Sequence, residues 1–159
     1  RAARALALAV AREAEVCLGR PRRLDRRGAV EIALELFREH GYDGVSTANL
    51  TRAFDVQPPS LYAAFGSKAG LFSDVLDLYE ARIGRQFGPA FEAPDVGTFV
   101  REVLLTAARL YSARGFGCLV LDGSRGSRDA AAVEMTGSRR EAMRTAMRRS
   151  SPSRRGYRN

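Results

Sequence analysis

Two adjacent prolines, Pro58 and Pro59, constrain this chain more than any other feature. Proline lacks a backbone N–H and fixes φ, so a helix accepts it in the first turn and is disrupted by it further in. A helix is therefore expected to open at this pair. The stretch around it, Val45 to Leu71, reads VSTANLTRAFDVQPPSLYAAFGSKAGL. A preceding helix starts at Ser46 or Thr47, with Ser46 as cap and Asn49 where a capping-box partner stands. Ala48, Leu50, Ala53 and Phe54 supply its inward face. Asp55-Val56-Gln57 forms the turn, and aspartate tolerates the left-handed region that Asp55 would adopt. In the next helix Leu61, Ala64 and Phe65 point inward, leaving Pro58, Ser60, Tyr62 and Ala63 outside. Gly66 ends it, Ser67 caps a third helix, and Lys68 sits in that helix's first turn. Helix, tight turn, short second helix is the layout of a helix-turn-helix unit, whose second helix lies in the major groove of DNA.

The string SLYAAFGSKAGLF, with LFREHGYDGVST upstream, resembles the TetR family of bacterial transcriptional repressors. Tyr62, Phe65, Ser67-Lys68 and Leu71-Phe72 fall on the family signature, as do Phe37, Gly41 and Tyr42. The likeness covers Arg20 to Tyr79 well and the remainder loosely. Three positions depart from the pattern: Asp55 where glycine is usual, Gln57 where a capping serine is usual, and Gly70 where a helix former is usual. The resemblance implies an all-α fold, with an N-terminal three-helix DNA-binding head followed by a helical ligand and dimerisation body. It implies a regulator that binds a palindromic operator as a homodimer and answers to a small-molecule inducer. No cofactor, no metal and no enzymatic activity are expected. The resemblance assigns DNA contacts to Thr47, Gln57, Pro58, Ser60, Tyr62 and Lys68.

The chemistry of those side chains suits the assignment. Ser60 can hydrogen-bond to several bases, and Gln57 or Pro58 can touch a base edge or a thymine methyl. Tyr62 offers a hydroxyl to a phosphate, and Thr47 a hydroxyl and a backbone N–H at a helix start. Lys68 places a cation at a helix N-terminus. The plainer alternatives are packing for Tyr62 and capping for Ser60.

The net charge of +8 is unevenly spread. Residues 1–30 carry eight Arg against three acids, and residues 139–159 eight Arg against one acid, whereas residues 31–138 carry ten basic against fourteen acidic residues. The excess sits at the two ends. Basic ends are a common electrostatic footprint for nucleic acid and are also common as inert overhangs. Arg22 and Arg23 just ahead of the first strong helix form a candidate arm for phosphates or the minor groove, with a solvated linker as the alternative.

In chain order, residues 1–19 are an alanine-rich extension, helical or disordered, without a convincing signal-peptide cleavage site. The first methionine is Met135, so the chain is expected to be a fragment or to begin upstream of the natural start. Residues 20–72 form the expected DNA-binding domain, with the recognition unit at 46–65. Its first helix runs from Arg26 to His40, with Ala29, Val30, Ala33, Leu36 and Phe37 inward, and stops at Gly41. Residues 73–149 are the expected regulatory domain. A helix from Ser67 to about Phe87 ends at Gly88-Pro89. Asp95 caps another to about Ala113, with Phe99, Val100, Val103, Leu104, Ala107, Ala108 and Tyr111 buried. Cys118 to Leu121 reads as a short helix, though periodicity alone does not separate it from a strand. A weak helix from Asp129 to about Arg149 is interrupted by Gly137. Residues 150–159 read as a disordered tail. The two further helices that would build the family's dimer interface are absent, so the body is expected to be truncated or frame-shifted.

No apolar run approaches the ~18–20 residues of a membrane span, and a DNA-binding regulator belongs in the cytoplasm. Cys17 and Cys118 stand far apart and make neither an expected disulfide nor a metal site. Phe87, Phe91, Phe99, Leu104 and Tyr111 could line a ligand pocket and are equally spaced as core. An enzyme would need Cys118 or Ser124 as nucleophile, and His40, the lone histidine, lies in the head and serves neither. The remaining rival is a helical ligand-sensing or protein-interaction module without specific DNA binding.

Overall fold

The head is built on one helix, α1 (Arg26–Gly44), whose apolar face repeats at three and four residues and buries Ala29, Val30, Ala33, Leu34 and Phe37. The computed structural model describes residues 24–112 and 117–150. Seven helices and no strand occur among these residues. They are α1, α2 (Thr47–Phe54), α3 (Pro58–Phe65), α4 (Lys68–Phe91), α5 (Val96–Ser112), α6 (Leu119–Asp122) and α7 (Ala130–Ser150). The fold is all-α, as the sequence implies.

Asp25 caps α1 by accepting from the Arg27 N–H. Gly41 does break the helical geometry, at φ 68° and ψ 177°, but the chain resumes a last turn to Gly44. That turn buries Tyr42 against Phe37 and Phe72. The Tyr42 ring centroid lies 4.9 Å from that of Phe72, and Phe72 stands edge-on to Phe37 at 5.0 Å. These three rings tie the end of α1 to the start of α4, each pair adding about 0.5–1.5 kcal/mol beyond burial.

α4 is the spine. Leu71, Phe72, Val75, Leu76 and Tyr79 are buried on α1, and later residues pack on α5 and α7. The helix does not stop at Gly88-Pro89 as the sequence suggests. It continues to Phe91 with Pro89 inside. Pro89 lies within the final turn, so a single intrahelical bond is forfeited, and the chain then tightens through i to i+3 bonds from Glu92 to Pro89 and from Ala93 to Ala90.

Three further expectations are corrected. Ala48 and Ala53 of α2 are exposed, and Leu50 alone of that helix is fully buried. In α5 Thr106 is the buried residue, Val100 is 46% exposed, Leu104 is 63% exposed and Ala108 is also exposed. α5 packs chiefly on α4, so one flank of its apolar set stays open. α7 runs through Gly137 without a break. Asp129 caps it, accepting from the Ala131 and Ala132 N–H groups, and Ala132 and Thr136 are buried.

α6 and α7 fold back onto the head. The Gly123 carbonyl accepts from the Tyr42 N–H at 2.8 Å, and the Tyr42 hydroxyl donates to Asp129 at 2.7 Å. Arg139 of α7, with its side chain 19% exposed, reaches Asp77 and Glu80 of α4 at 2.7 Å each.

Candidate nucleic-acid interface

The recognition unit is assembled from local signals. Ser46 accepts from the Asn49 N–H at 3.1 Å, and the Asn49 side chain accepts from the Ser46 N–H at 2.9 Å, which completes the expected capping box. Thr47 is the first residue of α2 and is half-buried. Asp55 closes α2 in the left-handed region, at φ 54° and ψ 48°, and is the one described non-glycine residue with positive φ. The Val56 N–H returns to the Thr51 carbonyl at 3.0 Å. Gln57 precedes α3 in extended geometry and makes no side-chain cap, so its amide stays available. Pro58 and Pro59 occupy the first turn.

α3 buries Leu61 and Phe65 and shows Tyr62, 48% exposed, and Ala63 to solvent. A cleft of about 550 Å³ lies between α2 and α3, walled by Ala48, Thr51, Arg52, Asp55, Val56, Gln57, Pro58 and Ser60. It brings together Gln57, Pro58 and Ser60 of the expected contact set. Thr47 and Tyr62 lie outside its walls. Arg22 and Arg23 fall outside the described residues.

Lys68 is placed differently from the other candidates. Its ammonium donates to the Val45 carbonyl at 2.8 Å and sits 4.1 Å from the centre of the Tyr42 ring. The cation is half-buried and engaged within the protein, holding the residue that leads into α2.

Two groups escape the sequence reading. Ala48, Thr51, Arg52 and Asp55 recur at three, four and seven residues and form the face of α2 that walls the cleft. That polar periodicity was the available signal. Arg26 donates to the Ala64 carbonyl, pairs with Asp74 at 2.6 Å and covers the Phe65 ring at 4.8 Å. It thereby fastens the end of α3 to α1 and α4. No local sequence signal marks it.

Gly70 also gains a physical reason. A Cβ there would stand 2.1 Å from the Phe65 carbonyl oxygen. The departure from a helix former therefore matches a close passage of α4 under the end of α3. Ser67 caps α4 by accepting from the Gly70 N–H at 3.0 Å.

The other candidate chemistries are placed as follows. The Ser124 hydroxyl is buried against the Thr136 hydroxyl. Cys118 is a free, buried thiol, and His40 is exposed beside Glu39 on α1. Among the described residues no group of three or more His, Cys, Asp or Glu is arranged to hold a metal ion. A body cavity of about 470 Å³ lies between α4, α5 and α7. Phe87, Phe91 and Tyr111 line it, whereas Phe99 and Leu104 do not.

Residues 30–75 match the family described as bacterial regulatory proteins, tetR family. The chain is 47% identical over 111 residues to the HTH-type transcriptional repressor BdcR of Escherichia coli (strain K12), covering 66% of this chain and 55% of BdcR. It is 48% identical over 61 residues to the HTH-type transcriptional repressor ComR of the same organism, covering 38% of this chain and 29% of ComR. The chain thus spans about half of one of these relatives and under a third of the other. Among solved structures, a cysteine-substituted TetR family transcriptional regulator CifR complexed with 26 bp double-strand operator DNA aligns at TM-score 0.62 and 36% identity, over 87% of this chain and 79% of CifR. The TetR family regulator PfmR of Thermus thermophilus aligns at TM-score 0.52 and 25% identity, over 76% and 69% of the two chains.

Proposed function

Because the chain belongs to the TetR family of bacterial regulatory proteins, we propose that it is a transcriptional repressor that reads double-stranded DNA with α3. The observation that carries this reading is the outer face of α3. The helix is short, opened by Pro58 and Pro59 and closed by Gly66, anchored inward by Leu61 and Phe65, and open to solvent at Pro58, Tyr62 and Ala63. Gln57, Pro58 and Ser60 meet base edges, Tyr62 and Thr47 meet phosphates, and Arg52 adds a phosphate contact from α2. Arg22 and Arg23 extend the contact along the backbone. Lys68 acts from behind, by holding Val45 and hence the start of α2.

Two copies bind a palindromic operator with half-sites about one helical turn, ~34 Å, apart. A small molecule in the body controls release. The site of action is the cytoplasm, with the DNA, and no described helix is long and apolar enough to cross a membrane. The family assignment points to regulation rather than catalysis.

The test is selection of duplexes from a random-sequence library, followed by salt titration of the selected site. A palindrome should emerge. Tyr62→Ala should weaken binding to all sequences without changing the salt slope, while Ser60→Ala should change the sequence preferred. Unselective binding by the native chain, with Tyr62→Ala indistinguishable from it, would instead favour a ligand-sensing module without specific DNA binding.

A further inference from the structure

A second cleft, of about 370 Å³, opens where the head meets the body. It is walled by α1, α4 and α5, and four arginines line it: Arg38, Arg82, Arg85 and Arg109. Glu35 is the carboxylate on its wall, 3.8 Å from Arg38. Arg82 is paired with Glu31 outside the cleft, and Arg109 donates to the Leu105 carbonyl at 3.3 Å. Arg85 has no carboxylate partner among the described residues. The Arg38 side chain is only 13% exposed, and its Nε–H is buried without a hydrogen-bond acceptor among the described residues. A buried, unsatisfied donor on a charged group is costly, and a bound acceptor would remove that cost.

We propose that this cleft binds a small organic carboxylate, with its head held by Arg38 and Arg85 and its apolar part against Ile83 and Leu110. The guanidinium fork matches a carboxylate in geometry and charge. Half-buried Ile83 and Leu110 give an apolar tail a place beside the arginines, which an inorganic anion would not use. The Tyr79 and Tyr111 hydroxyls, 3.5 Å apart, stand at the same wall, both neutral at pH 7, and burial raises both phenols above their ordinary value. Tyr79, Ile83 and Tyr111 also wall the apolar body cavity, so filling the cleft bears on that cavity too. The anion would bridge α1 of the head to α4 and α5 of the body. Its regulatory consequence rests on the DNA-binding reading above, but its binding does not.

The probes are hexanoate, 1-hexanol and inorganic phosphate, titrated calorimetrically into the full chain. Hexanoate should bind more tightly than either of the others. Arg85→Gln, at an exposed position, should weaken hexanoate about tenfold while leaving the helical circular dichroism and the melting temperature intact. Arg38→Gln should do the same or more. Equal binding of hexanol or phosphate, no hexanoate binding, or hexanoate binding unmoved in Arg85→Gln would overturn the proposal. DNA affinity measured with and without saturating hexanoate separates the two readings. Hexanoate binding with no selected DNA site would sink the repressor reading alone.

Discussion

Replacing Tyr42 by phenylalanine should loosen the junction between head and body by a predictable, pH-dependent amount. The hydroxyl donates to Asp129 Oδ2 at 2.7 Å, and Asp129 Oδ1 accepts from the first N–H groups of α7. The ring is packed by Phe37 and Phe72 and covered by the Lys68 ammonium. Tyr42→Phe therefore removes one oxygen and leaves the packing in place. A hydrogen bond to a charged group contributes about 1.5–3 kcal/mol when shielded. The Asp129 carboxylate is open to water, which rehydrates it in the variant, so the loss at neutral pH should be ~1 kcal/mol. The melting temperature should fall by roughly 3 °C for a chain of this size.

The pH dependence sharpens the test. The Tyr42 hydroxyl, followed by the backbone bond from Ala132, holds the Asp129 carboxyl below the usual carboxylate range. A carboxyl depressed in the folded state stabilises fully above its unfolded value near ~3.9, and that stability is lost as pH falls through the lower folded value. The difference between the native chain and the Tyr42→Phe variant should hold between about pH 5 and 8 and shrink below pH ~4. At the alkaline end, burial and then Asp129 raise the Tyr42 hydroxyl well above its ordinary value. The folded native chain should therefore lose stability above pH ~10 with a steeper slope than the variant. Urea denaturation followed by circular dichroism across this range reads both effects. A neutral-pH difference under ~0.3 kcal/mol, or one that stays constant into acid, would refute the bridge between α1 and α7.

Two further substitutions test the recognition unit from behind. Gly70→Ala would ordinarily stabilise a helix by up to ~1 kcal/mol, but the added Cβ meets the Phe65 carbonyl at 2.1 Å. The expected outcome is a net loss of about 1–3 kcal/mol in urea denaturation, and a stabilised variant would show that α3 and α4 do not pass so closely. Lys68→Met keeps the aliphatic stem and removes the bond to Val45 and the charge over Tyr42. It should cost about 1–2 kcal/mol of stability and weaken DNA binding without changing its salt slope, whereas a slope lowered by about one would mean that the ammonium contacts a phosphate.

The parts of the head that were legible in the sequence are those fixed within three or four residues. Ser46 and Asn49 cap each other, Asp55 turns the chain, Pro58 starts α3, and Gly66-Ser67 separates α3 from α4. Each signal is local, so no tertiary knowledge is needed to read it. What was illegible depends on partners distant in the chain. The charge of Lys68 is visible in the sequence, but the carbonyl that captures it lies 23 residues earlier. The amphipathic pattern of α5 reveals which residues are apolar, not whether a neighbour covers them, and Leu104 is left open. The arginine cleft draws on residues 38, 82, 85 and 109, which share no period.

α4 is the element on which head and body must agree. Its first half, from Leu71 to Leu76, is locked into the head with α1, while Tyr79 to Phe91 wall the arginine cleft and the body cavity. The helix is continuous between them, and its proline lies at the far end, past both Lys68 and Arg85. From Lys68 to Arg85 is about 25 Å at 1.5 Å per residue. No loop interrupts that span to absorb a displacement. A shift imposed on the second half must therefore be taken up either at the α1 interface or at the Lys68–Val45 contact, which sets the start of α2. The Arg139 pairs with Asp77 and Glu80 sit midway along this lever and brace it against α7. Occupancy of either cavity would thus be felt at the start of α2 through one rigid helix and one hydrogen bond at its first turn.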